Sequence, residues 1–129
     1  MDKLIYKQNS LPIKIAITEN EQQTGLMYQK WPPPMMAFPS DKPAIRKFWM
    51  KNTPSPLDII FCNSNTIVGI EKGKPFSSDH VGPDCLVDLV VELPFGTAQK
   101  LGMRTGDPIS ISYSLQTIAK MFELGGLSK

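Results

Sequence analysis

The stretch with the most chemistry in it runs from Lys47 to Ile60, "KFWMKNTPSPLDII", where two aromatics, cations, an amide and a carboxylate stand among apolar residues. Trp49 offers a stacking face, Lys51 and Asn52 offer donors, and Asp58 an acceptor. With Phe38 upstream they make the aromatic surface and few convergent polar groups that ligand pockets use. Sugar-like ligands suit such a set, because an aromatic platform can stack on a polyol while an amide and a carboxylate take its hydroxyls. Chain reversal at Pro54 and Ser55 would place Lys51 opposite Asp58 and Trp49 opposite Ile60, closing one face of a hairpin with an ion pair. Proline holds φ negative, so Pro54 cannot open either of the primed turns that tight hairpins prefer, and a splayed connection competes. The plainer alternative is that Asp58, between Leu57 and Ile59, ties down the proline loop under Lys51, since structural ion pairs imitate sites.

A second cluster, "SDHVGPDC", gathers Asp79, His80, Asp84 and Cys85. These side chains are able to ligate a divalent metal, or Cys85 to act as a nucleophile with His80 as base, but the spacing matches no metal motif and a catalytic base normally comes from elsewhere in the fold. An exposed polar loop is the simpler reading, and neither a metal nor a cofactor is expected. Met27, Met35, Met36 and Met50 read as core filler. "LGMRTGD" has two glycines but no Walker or dinucleotide pattern.

Such residues need a scaffold, and 129 residues provide for one domain. An apolar share of 41% with 20% charged residues is that of a soluble globular chain, and 12 prolines disfavour long helices. A net charge of +2 is too mild to call for nucleic acid, although Lys42, Arg46, Lys47 and Lys51 cluster around Phe48 and Trp49. "MDKLIYKQNS" has neither the apolar stretch nor the cleavage pattern of a signal peptide, and no run is long enough to span a bilayer, so a cytoplasmic location without membrane contact is expected. Cys62 and Cys85 have no zinc or redox spacing and read as packing residues, with a single disulfide open only to an exported chain.

"LPIKIAIT", Leu11 to Thr18, alternates as a half-buried strand does. Thr18 with Glu21 forms a capping box, and "ENEQQTGLMYQ" reads as a short helix weakened by Gly25. "WPPPMMAFPSDKP" is expected to be an ordered, partly buried loop, because its prolines remove donors. "NTIVGIEKG" follows as an extended segment, then a polar loop. "CLVDLVVEL" is apolar and β-branched, as a central strand covered on both faces should be. A short helix over "PFGTAQKL" ends near Gly102, "PISISYSL" is a last strand, and in the tail Ile118, Met121 and Phe122 share a helical face before Gly125 and Gly126. The expected fold is mainly β within α+β: a compact antiparallel barrel or sandwich over residues 1–115 with two short helices, and a helical extension over 116–129.

Several segments together resemble one family, the domain of unknown function 192. They are "IAIT", "GLM", "FWMKNT", "PLDIIF", "VVELPFGTAQKLGM" and "GD" at Gly106 and Asp107, in order over roughly residues 11–113. The resemblance implies a small β-rich domain and no particular activity. Two departures flank the pocket residues: "PPPMMAFP" stands where the family usually has a Gly-Met-Leu-Phe type segment, and Ser55 precedes "PLD" in place of an apolar residue. The leading reading is a non-enzymatic domain binding a small polar ligand or sugar through Phe38, Trp49, Lys51, Asn52 and Asp58. A hydrolytic or metal-assisted enzyme using His80 with Asp79 or Asp84 is one alternative, and an accessory module docking through its C-terminal helix is another. Oligomeric state is not set by the sequence.

Overall fold

The computed structural model describes residues 1–124. Eight strands and three short helices follow one another among the described residues: β1 (Lys3–Tyr6), β2 (Asn9–Pro12), β3 (Lys14–Ile15), α1 (Glu19–Thr24), β4 (Met36–Ala44), β5 (Leu57–Asn63), β6 (Thr66–Gly73), β7 (Val87–Pro94), α2 (Thr97–Leu101), β8 (Ser110–Ser112) and α3 (Leu115–Glu123). The strands form a three-stranded sheet, β2-β1-β8, and a five-stranded sheet, β3-β4-β7-β5-β6. All pairings are antiparallel except β3 with β4. The α+β class holds, but the barrel is corrected: there are two open sheets, because each has edge strands that pair on one side only. None of the described helices is long and apolar enough to cross a membrane.

The period-two alternation of β5 and β7 organises the core. Ile60, Cys62, Leu89, Val91 and Leu93 point to one face, where Leu4, Tyr6 and Ile109 from the smaller sheet's side of the molecule cover them. Leu57, Ile59, Phe61 and Val90 point to the other, where Ala16, Leu26, Phe38 and Met50 pack. The central strands are thus covered on both faces, as expected for "CLVDLVVEL", but the strand begins at Val87, and Cys85 and Leu86 before it are exposed, so Cys85 is not a packing residue.

Local chemistry explains where elements start and stop. At α1 the Thr18 hydroxyl accepts from the Glu21 amide at 3.0 Å, and the Glu21 carboxylate accepts from the Thr18 and Ile17 amides, each at 3.0 Å. Those amides hold the Glu21 carboxyl below its ordinary range. The helix ends at Gly25, whose φ of 49° and ψ of −126° suit glycine, and does not continue through "LMYQ".

Three expectations change. The strand over Leu11–Thr18 is broken at Ile13, and its first half pairs back on β1, a hairpin that the polar turn at Lys7 and Gln8 had concealed. The proline segment is a loop only in its first half, since Met36–Pro39 pairs with Glu92–Leu89 of β7 and a bulge before Ala44 absorbs the irregularity. The hairpin around Pro54 does not form, because β6 and β7 already occupy both edges of β5. Residues 47–53 instead cross to the polar loop, where Phe48 and Val81 exchange backbone bonds of 2.9 and 2.8 Å.

Helix α3 is tied at its start by Asp2, whose carboxylate accepts from the Ser114 amide and the Thr117 hydroxyl, each at 2.8 Å. Met121 is buried, whereas Leu115 and Phe122 are exposed and Ile118 lies at the boundary of exposure. The expected stop at Gly125 and Gly126 lies outside the described residues.

Candidate functional site

A groove of about 410 Å³ opens between the end of α1 and the segment from Ile45 to Thr53. One wall is Gln22 to Met27, the other carries Arg46, Phe48, Trp49 and Lys51, and Phe38 and Glu92 lie beneath. The capped end of α1 sets the first wall, and the closeness of Gly25 to Phe38 makes the approach tight: a Cβ there would stand 3.3 Å from the Phe38 ring. The second wall is held by the Phe48–Val81 bridge and by Arg46, which donates to the Phe38 carbonyl at 2.7 Å and lies 5.3 Å from the Phe48 ring centre.

Three of the five sequence-derived ligand residues meet in this groove. Phe38 is buried and meets Phe48 edge to face, with ring centres 5.1 Å apart, so it contributes to the underside and offers no open platform. Trp49 is 40% exposed. The imidazole of His80 stacks on its indole at 5.1 Å and 23°, and the Lys51 ammonium lies 5.2 Å from the ring centre. Asn52 lines a continuation of the groove past Trp49 and Lys51; its positive φ of 57° makes it a turn residue as well, and its carbonyl accepts from the Tyr28 amide.

Asp58 is set apart from the others. It is buried on the opposite face of the sheet, and its Oδ2 accepts from the amides of Gly96 and Ala98 at 3.0 and 2.9 Å. It satisfies orphan donors at the start of α2, and the expected ion pair with Lys51 is absent. Ser55 is buried and donates to the Gln29 carbonyl at 3.0 Å.

The His80 loop does not build a centre. Asp79, His80, Asp84 and Cys85 are exposed, and Asp84 pairs with Lys47 at 2.8 Å. Among the described residues no three His, Cys, Asp or Glu side chains gather as a metal site. Cys62 is buried, with its thiol pushed up to about 12 by burial and by Asp88, and neither cysteine is in a disulfide.

The residue that sequence reading passed over is Glu92. It is directly opposite Ile59 on β5 and Met36 on β4, and so shares the face of Phe38 and Phe61. It is 4% exposed and lines the groove. Burial alone pushes its carboxyl up to about 8, with no hydrogen bond or cation to offset the loss of water. A signal existed: an acid inside a run that reads as a strand covered on both faces must itself be buried.

Known proteins match this description in fold. A protein of unknown function from Novosphingobium aromaticivorans DSM 12444 is 27% identical, with a TM-score of 0.75 over 84% of this chain and 82% of that one. A protein from Sinorhizobium meliloti 1021, provisionally described as a transcription regulator, is 33% identical, with a TM-score of 0.74 over 84% of this chain and 90% of that one. No curated protein matches the chain. The family model of DUF192, described as an uncharacterized ACR, matches residues 4–111, and the chain belongs to that family.

Proposed function

We propose that the chain is a non-enzymatic domain that binds a small polar ligand, with a sugar-like polyol as the class that suits it, in the groove beside Trp49. One observation carries the reading: a groove of about 410 Å³, in the size range of ligand pockets, brings a partly exposed indole, a lysine and a turn asparagine together over an aromatic underside. A sugar ring stacking on Trp49 would take the place that the Lys51 ammonium now holds over the indole, and Lys51 and Asn52 would then meet its hydroxyls. Asp58 is left out of the site, because its bonds to Gly96 and Ala98 account for its burial. In this reading residues 1–115 are the binding unit, to which the rest of the chain is an extension.

The reading predicts that titration with glucose or glucuronate shifts the Trp49 indole resonance, and that Trp49→Ala abolishes binding while the chain still folds. An indole resonance that glucose, glucuronate and glucosamine all leave unmoved, or a Trp49→Ala chain that no longer folds, would remove it.

A further inference from the structure

The buried carboxyl of Glu92 has no role in the fold comparable to that of Asp58. An ionisable side chain costs free energy to bury without a partner, and this one is 4% exposed in the wall of a groove. The charged groups that face it across that groove are Arg46, Lys47 and Lys51; α1 contributes none to the lining, and its neighbours on β4 and β5 are Met36 and Ile59. Lys47 is engaged elsewhere, by the carbonyls of Gly82 and Pro83 and the carboxylate of Asp84. Arg46 is half-buried, which disfavours its charge while Asp88 favours it, and its Nη1 donates to the Phe38 carbonyl; it keeps spare donors at Nη2, which reaches Gln22 only at 3.5 Å. Lys51 lies over Trp49.

The groove is therefore asymmetric, with an uncharged acid beneath and two available cations at the rim. A cationic ligand would have to pass those cations, while a purely neutral polyol would leave them unused. An acid group lodged at the rim, with a hydroxyl reaching the buried carboxyl, uses both.

Resting on the groove as the binding site, we propose that its ligand is a small hydroxylated organic anion, whose hydroxyl end is held by protonated Glu92 and whose acid end by Lys51 and Arg46. Binding then requires the proton on Glu92. Ionisation would place a second negative charge in the same low-dielectric groove and leave the ligand hydroxyl facing an anion in place of a donor.

The test uses the full chain and three probes of one size, glucuronate, glucose and glucosamine, titrated by calorimetry or amide resonances between pH 6 and 9.5. Glucuronate is expected to bind best, with a Kd that is flat near pH 6 to 7 and rises toward tenfold per pH unit above about 8, the value to which burial pushes Glu92. Glu92→Gln, which donates but cannot ionise, is expected to abolish that pH dependence, and Lys51→Met, at an exposed side chain, to weaken glucuronate binding severalfold while leaving glucose binding unchanged. The Lys51 variant and the wild-type pH profile decide the matter should the core substitution fail to fold. Glucose binding as well as glucuronate, at a Kd unchanged with pH, would overturn the anion assignment and leave the groove reading standing. Preference for glucosamine would overturn it too. Failure of all three sugars to bind would overturn both.

Discussion

Asp58 and Glu92 are two carboxyl groups of similar burial on adjoining strands of one sheet, and the molecule treats them oppositely. Asp58, beneath the start of α2, receives two backbone amides. Glu92, one register position away and on the other face, receives none and looks into a groove. A buried acid that accepts backbone amides maintains the backbone around it, whereas one left without partners has spare capacity that a ligand can fill. Burial by itself therefore does not mark a functional acid. The accounting of its partners does.

The contrast is broken most severely at Asp58. Replacing Asp58 with Ala leaves one buried and one partly buried amide without acceptors, and should cost about 4 kcal/mol. The check is the urea midpoint, and a loss under about 1 kcal/mol would contradict the structural role given to this residue. Glu92→Gln should act in the opposite direction. The unfolded chain ionises Glu92 from about pH 4.5, whereas the folded chain keeps it protonated until about 8. Folding therefore takes up a proton in that window, and stability is lost as pH rises from 4.5 to 8. Removing the ionisable group should raise stability by about 3 kcal/mol at pH 7 and by little at pH 4, with the wild-type decline flattened. Unfolding midpoints at those two pH values check it, and equal pH dependence in the two proteins would show that Glu92 ionises freely. A smaller effect is expected at Gly25. Alanine there must adopt a positive φ against the Phe38 ring and should cost about 1–2 kcal/mol. Amide shifts confined to the groove wall, with α2 unmoved, would confirm that the two faces of the sheet respond separately.

Much of this scaffold is legible from local chemistry. The Thr18–Glu21 capping box, the stop of α2 at Gly102 and the doubly covered β7 each follow from residues within a few positions of one another. Two readings failed because non-local pairing outweighed local preference. Pro39 sits in a strand since its neighbours find partners on β7, and the segment at Pro54 is no hairpin since β5 has no free edge. The residues around the groove were partly legible: aromatic and cationic residue types drew attention to Phe38, Trp49 and Lys51, and the same reasoning grouped with them Asp58, which the fold sets on the other face of the sheet.

The sequence by itself determined the class of fold, the family, the one-domain size and the residues able to stack or to carry charge, because these depend on composition, period and short motifs. Which of two acids would be satisfied was decided only in three dimensions. The amides that reach Asp58 come from residues 38 and 40 positions away, and the groove above Glu92 is built by α1, β4 and the segment after it. Hydrogen-bond partners and solvent access are properties of assembled neighbours, and no window along the chain contains them.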